Sequence, residues 1–367
     1  MFTRRQVTKG IAALAAAPLF APAIARAKPI KMRVGLASGV NDAQVSFQSI
    51  GMHERLRWYQ DDGIDLEIVN TGNTSQPLQL LSNGQVEFAT IAPGTLIPPF
   101  AENPNLPVTC AYTWMPRIHN GVVVKPDSPI KSIADLKGKT IGIRSAGDSG
   151  YPFLQAALLE VGIDPKRDVE WIAVGAGGPA GQALYRDTVQ ALAIWDAEFV
   201  RIGIAGFELR TLPNLPSADL LFGNSYAVNR EMFAKDKERY AKTFRAIAKG
   251  QIFTATNPEA SIRLHWDLFP ETKPKGKSED QALAEMMKLL AGRRDKWFPI
   301  KANKDQRMGA CSDEQWAAAV RFIGRLNPRI QEQIKDVSRL YTNDILDEAN
   351  RFDRAKLEAD AKAFKYK

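Results

Sequence analysis

From Lys31 onward the chain repeats one short pattern, an apolar run followed by a stretch with apolar residues at helical spacing, and this constrains the fold more than any motif does. Residues 32–36, 66–69, 87–91 and 108–112 are predicted strands, with predicted helices over 45–60 and 76–82, the second ending at Asn83-Gly84. After Trp114-Met115-Pro116-Arg117 the pattern resumes, with strands at 121–125, 140–143, 169–174 and 191–194 and helices at 151–161 and 180–189. Near-continuous apolar strands alternating with helices are what sheets covered on both faces require. Beyond Asn229 the character changes to long helices over 231–253, 258–268, 279–291, 313–326 and 351–364. The fold class is therefore α/β, two successive α/β units with a C-terminal helical layer packed onto them.

The N-terminus reads as an export address. Thr3-Arg4-Arg5-Gln6-Val7-Thr8-Lys9 carries paired arginines, an apolar run over 11–24 follows, and Ala25-Arg26-Ala27 supplies the small residues of a cleavage site. The run falls short of the ~20 residues that span a bilayer, and Pro18 and Pro22 interrupt it. Residues 1–27 are thus expected to be a cleaved signal peptide. The paired arginines resemble the twin-arginine export motif, although Val7 and Thr8 stand where its bulky apolar pair would be. Either export route leads to the periplasm, and with no cysteine at the cleavage site a free protein beginning at Lys28 is expected.

The formal charge of +8 includes Arg4, Arg5, Lys9 and Arg26, so the chain beyond the signal is only mildly basic. Its basic residues are interleaved with acids rather than clustered, which argues against nucleic acid as a partner. Cys110 and Cys311 are far apart in sequence, form no framework pattern, and read as two buried thiols.

Three places imitate catalytic motifs, and each fails on context. Gly147-Asp148-Ser149-Gly150 looks like a serine-protease nucleophile turn, but His53, His119 and His265 sit in no recognisable base motif. Gly175-Ala176-Gly177-Gly178-Pro179-Ala180 imitates a dinucleotide-binding turn, with Asp196 near the distance of a ribose-binding acid. Pro179 fits ordinary helix initiation instead. Three scattered histidines and two distant cysteines offer none of the close spacings of a zinc site. No metal, cofactor or catalytic residue is expected.

What remains is a set of loops at the carboxyl ends of strands, where open α/β sheets bind ligands. The expected ligand contacts are Ser38, Asn41 and Asp42 after the first strand, Thr71 and Asn73 after the second, and Pro93, Gly94 and Thr95 after the third. The second unit adds Arg144, Ser145, Gly147, Asp148 and Ser149, then Gly177 and Gly178, then Trp195 and Asp196. Trp114 and Arg117 come from the segment between the units, and Trp114, Tyr151, Trp195 and Phe222 are the expected apolar walls. Arg117 and Arg144 suit a carboxylate or sulfonate, whereas Asp148, Asp196 and Glu198 suit an amine. A zwitterion or a heterocyclic or aromatic acid reconciles the two signs.

Several segments resemble a known family. Asp135-Leu136-Lys137-Gly138-Lys139, preceded by Ser128-Pro129-Ile130-Lys131-Ser132, is similar to the D-L-K-G-K segment opening the second lobe of type II periplasmic solute-binding proteins. Leu159-Glu160-Val161-Gly162-Ile163 with Asp168-Val169 matches a further stretch of that family. Tyr341-Thr342-Asn343 resembles a segment of the branch serving nitrate, sulfonate, taurine and thiamine-pyrimidine ABC transporters. Where the family has G-x-(V/I)-D-A, this chain has Gln190-Ala191-Leu192-Ala193-Ile194-Trp195-Asp196, which changes residues facing the expected cleft.

The resemblance implies a two-lobed periplasmic-binding-protein (type II) fold, with residues 28–117 plus 228–367 as one lobe and 118–227 as the other. Crossovers are expected near 113–121 and 220–227. It further implies a monomeric, non-enzymatic receptor that captures a small-molecule solute and delivers it to the membrane permease subunits of an ABC transporter. Two alternatives share the architecture: the receptor of a tripartite ATP-independent transporter, and a thiamine-pyrimidine synthase that uses pyridoxal phosphate.

Overall fold

A computed structural model of the chain describes residues 28–37, 43–73, 75–301 and 303–366. The export segment 1–27 and the loop with Ser38, Asn41 and Asp42 lie outside the described residues.

Two five-stranded sheets share one topology. The first contains β1 (Ile30–Leu36), β2 (Ile64–Asn70), β3 (Phe88–Ile91) and β4 (Val108–Tyr112). The second contains β5 (Asn120–Val124), β6 (Thr140–Ile143), β7 (Glu170–Ala173), β8 (Ala191–Trp195) and β9 (Arg210–Thr211), and β10 (Ser225–Asn229) returns to the first. The orders are β2-β1-β3-β10-β4 and β7-β6-β8-β5-β9. In each, three parallel strands are followed by an antiparallel one that arrives from the other half of the chain. The chain therefore crosses between the sheets twice. The two crossing segments hydrogen-bond to one another, Met115 N–H to the Asn224 carbonyl (3.0 Å) and Gly223 N–H to the Met115 carbonyl (2.8 Å).

Predicted strands correspond to observed ones except at β9 and β10. Residues 225–227, expected as crossover, are strand, with Tyr226 opposite Thr90 and Ala227 opposite Ala89. Five residues between turn-rich segments carry too little periodicity to announce a central strand. The helix expected over 45–60 is broken into short turns at 43–45, 46–49, 50–52 and 58–61. Gly51 there packs directly under the Tyr59 ring, where a Cβ would stand 2.9 Å away, so the chain folds back on itself. Pro93, Gly94 and Thr95, expected in a loop, begin the helix Pro93–Glu102, with proline in the first turn where its missing N–H is harmless.

The C-terminal helices form the expected layer. Lys237–Thr256 covers the first sheet, where Phe244 meets Phe88 edge-on (5.4 Å) and stacks on Tyr226 (5.8 Å). Full burial of such a ring contributes ~1.5–3 kcal/mol. Asp313–Ile323 packs against helices of both units, Pro93–Glu102 and Gly150–Glu160, with Phe322 stacked on Phe153 (5.4 Å). One apolar cluster thus runs through both halves.

The segments that carried the family resemblance are structural. Asp135 accepts hydrogen bonds from the N–H groups of Lys131 and Ser132 and from the Ser132 hydroxyl, capping its own turn, and Gly138 supplies a left-handed φ of 73°. Tyr341 forms a parallel bridge with Cys110 on β4, and Asn343 brackets Cys311 through its carboxamide. Both cysteines are buried and free. Among the described residues, no helix is long and apolar enough to cross a membrane.

Candidate functional site

The carboxyl ends of both sheets converge on a cavity of about 70 Å3. β1 delivers Leu36 and Ala37, β3 delivers Thr90, and β8 ends at Trp195. The turn after β6 brings Arg144, and the start of helix Gly150–Glu160 brings Asp148 and Ser149. The two crossing segments contribute Trp114 and His119 from one and Asn224 from the other. The remaining walls are Gln44, Val45 and Gln48 from the short turns after β1, and Arg293 from the C-terminal layer. A smaller cavity of about 30 Å3, lined mostly by apolar groups including Pro93, Gly94 and Phe222, lies on the other side of Ser149.

The charged groups are paired. Asp148 receives the Arg144 Nε (2.7 Å) and Nη2 (2.5 Å) and the Ser145 hydroxyl (2.7 Å). The Arg144 guanidinium also lies over the Trp195 ring, 4.8 Å from its centre. Arg293 gives Nε (3.1 Å) and Nη2 (2.6 Å) to Asp196 and Nη1 to Gln44 (2.8 Å). Lys296 donates to the other Asp196 oxygen (2.7 Å). Burial alone would raise the Asp196 pKa, but Arg293, the His119 side chain and Lys296 overcome it and hold the carboxyl at about 2. Burial drives His119 the other way from a charged state, down to about 3, so its ring is neutral.

Five neutral polar side chains of the lining, in contrast, carry unsatisfied atoms. Gln48 Nε2 and Oε1, Thr90 Oγ1, Trp114 Nε1, His119 Nδ1 and Asn224 Oδ1 are buried without a hydrogen-bond partner, and all five residues line the cavity. Their exposures run from 2 % to 8 %. An unpaired buried polar atom costs ~1–3 kcal/mol, so such a concentration in one place marks where a ligand's polar groups belong.

The expected contacts divide accordingly. Trp114, Arg144, Asp148, Ser149 and Trp195 line the larger cavity, and Pro93 and Gly94 the smaller. Thr95 bonds its own Ala92 carbonyl (2.9 Å). Arg117 is exposed and outside both linings. Gly177 and Gly178 form a separate turn in which Gly177 N–H bonds Glu198, itself paired with Arg201. Asp196 stands behind the lining, as the counterion of Arg293. Thr71 bonds the Leu36 and Asn73 carbonyls, and Asn73 caps its own helix through the N–H groups of Ser75 and Gln76. Tyr151 packs on Trp171 (4.8 Å).

Sequence reasoning missed Gln48, Thr90, His119, Asn224 and Arg293. Thr90 had a signal, a lone hydroxyl near the end of a fully buried strand. The others are single polar residues in crossing segments or turns, with no spacing to expose them.

Loops from the two units also touch. The Arg144 Nη2 bonds the Gly72 carbonyl (3.1 Å), the Ser75 hydroxyl bonds the Gly147 carbonyl (3.2 Å), and a Cβ on Gly147 would stand 2.9 Å from Asn73. With the Asp196 ion pairs, these contacts close the cavity between the sheets.

This topology and a cleft between the two sheets define the periplasmic-binding-protein fold of type II. Residues 47–261, more than half of the chain, match the NMT1/THI5-like family, and the chain belongs to that family. It is similar in fold to the periplasmic aliphatic sulphonate binding protein SsuA of Escherichia coli, with a TM-score of 0.62 and 18% identity over 86% of this chain and 98% of that one. In sequence it is 28% identical over 265 residues to the riboflavin-binding protein RibY of Chloroflexus aurantiacus, covering 71% of this chain and 72% of that protein. It is 22% identical over 306 residues to a 4-amino-5-hydroxymethyl-2-methylpyrimidine phosphate synthase of Legionella pneumophila, covering 80% and 86%.

Proposed function

We propose that this protein is the exported receptor of an ABC importer, capturing a small organic solute in the cavity between its two sheets and presenting it to membrane permease subunits. The observation that carries this reading is the ring of buried, unpartnered neutral polar atoms around a cavity with tryptophan walls. Gln48 and Asn224 offer acceptors, and Gln48, Thr90 and Trp114 offer donors. A planar heterocycle with both kinds of group fits that set, stacked against an indole.

The two halves, residues 28–117 with 228–367 and residues 118–227, act as lobes that close on the solute. Ligand touching both lobes favours the closed arrangement. The relationship to a riboflavin-binding protein supports a heterocyclic ligand, and relationship to a pyrimidine phosphate synthase brings in the enzyme alternative. Among the described residues no lysine lines the cavity, so no side-chain amine stands there to hold a pyridoxal aldehyde.

The deciding experiment is a thermal-shift screen of the chain from Lys28 against heterocycles, amino acids, carboxylates and sulfonates. A true ligand at about 100 times its dissociation constant adds ~2.7 kcal/mol to the folded state. A response confined to one class supports the receptor reading. Turnover of a pyrimidine precursor with pyridoxal phosphate would favour the enzyme instead.

A further inference from the structure

The lining of the cavity treats charge and neutral polarity in opposite ways. Five of its neutral side chains carry atoms that wait for partners, whereas both of its cations, Arg144 and Arg293, already hold carboxylates from the protein itself. Of these two pairs only Arg144–Asp148 has both members in the cavity wall.

We propose that Asp148 is a specificity-determining residue that makes this cleft turn away carboxylates and sulfonates, because its own carboxylate occupies one paired-donor edge of the Arg144 guanidinium while the Gly72 carbonyl interrupts the other. The proposal rests on the reading that the cavity is the solute site. Carboxylates and sulfonates engage arginine through two parallel N–H donors. On Arg144 the Nε and Nη2 donors form that edge, and Asp148 takes both, at 2.7 Å and 2.5 Å. Further contacts hold the pair in place. Ser145 holds the Asp148 carboxylate, the Gly72 carbonyl takes a further bond from Nη2, and the Trp195 ring lies against the guanidinium face.

Asp148 is only 3 % exposed, so its charge cannot swing into solvent to make way. An anionic ligand would have to displace it, leaving a buried carboxylate without its cation, or sit beside it against like-charge repulsion. Both routes are unfavourable. A neutral ligand meets neither obstacle and satisfies the waiting groups. The turn after β6 thus carries a cation that reads as an anion receptor in the sequence and is cancelled four residues later.

The test uses two molecules of one shape. Benzoate and benzamide differ in charge and not in outline, and ethanesulfonate adds a second anion. Each is titrated calorimetrically into the chain from Lys28, as wild type, Asp148→Asn, and Arg144→Gln/Asp148→Asn. Asp148→Asn is expected to bind the two anions at least tenfold more tightly than wild type, with a smaller change for benzamide, and the double variant is expected to lose that gain. The proposal is overturned if Asp148→Asn shows no gain, if wild type binds the anions equally well, or if the gain survives the loss of Arg144. Should Asp148→Asn fail to fold by circular dichroism, Asp148→Ser replaces it, and Arg144→Gln alone is decisive: an anion affinity in wild type that falls in Arg144→Gln overturns the proposal. Failure of the underlying reading looks different. If Gln48→Ala and Asn224→Ala leave the affinity for benzamide unchanged, the cavity is not the solute site, whatever the anions do.

Discussion

Trp114 shows how a residue can weaken the empty protein and strengthen the loaded one. Its indole N–H is buried without an acceptor, while its ring packs on Phe47 (5.4 Å) and Tyr226 (6.1 Å). Trp114→Phe keeps much of that packing and removes the stranded donor. Stability of the ligand-free protein is then expected to stay within about 1 kcal/mol of wild type, while solute affinity drops roughly tenfold, the worth of one neutral hydrogen bond. Denaturant unfolding and calorimetric titration read the two effects separately, and a parallel fall in both would remove Trp114 from the ligand contacts. His119 gives a prediction in pH. Its folded pKa of about 3 lies below the ordinary 6.5, so between those values the unfolded chain binds a proton that the folded one refuses. Stability therefore falls as pH falls through that window, by on the order of 5 kcal/mol in total. Asp196, held at about 2 against an ordinary 3.8, adds a further loss at lower pH. Urea denaturation from pH 7 to pH 4 should show a clearly shallower slope in His119→Gln than in wild type.

At the scale of elements, packing overrides local preference, and Gly250 shows it best. It lies inside the helix Lys237–Thr256, where alanine would be favoured by ~1 kcal/mol on propensity alone. A Cβ there would stand 1.9 Å from the Phe47 carbonyl oxygen, because the turn at 46–49 rests directly on this helix. Gly250→Ala is expected to destabilise by about 1–3 kcal/mol, the usual range for overpacking, seen as a lower denaturant midpoint. The same conflict explains what the sequence revealed. Strands such as Val108–Tyr112 and Thr140–Ile143 were legible because their burial makes them predominantly apolar. The broken stretch 43–61 was not, since its apolar residues suit a helix, whereas the chain turns extended at His53 and left-handed at Arg57 and brings Tyr59 back onto Gly51. In the site, Arg144, Asp148, Ser149, Trp114 and Trp195 stood beside strand ends and could be found. Asn224 and His119 were invisible because crossing segments owe their place to the tertiary fold, not to any period.

For the whole molecule the decisive contacts run between the two sheets. Asp196 follows β8 of the second sheet, and its cations Arg293 and Lys296 belong to the C-terminal layer, so this ion cluster joins the two halves. Removing one partner of a buried pair costs ~3–5 kcal/mol because the other charge is left alone. Asp196→Asn should therefore lower stability and also leave the ligand-free protein more open, with a larger radius of gyration in small-angle scattering that ligand reduces. Scattering curves identical in wild type and variant, with and without solute, would count against closure. The edge of the first sheet carries a different consequence. β4 is the outermost strand there, and the segment around Tyr341, far later in the chain, lies along it through the Cys110 N–H to Leu340 carbonyl bond and the Thr342 N–H to Cys110 carbonyl bond. Uncovered strand edges recruit strands from other chains. Until residue 342 has been made and docked, β4 has only β10 to pair with, so the segment around Tyr341 acts as an edge guard supplied from within the chain, and folding of the first sheet waits on residues far later in the sequence than any of its strands.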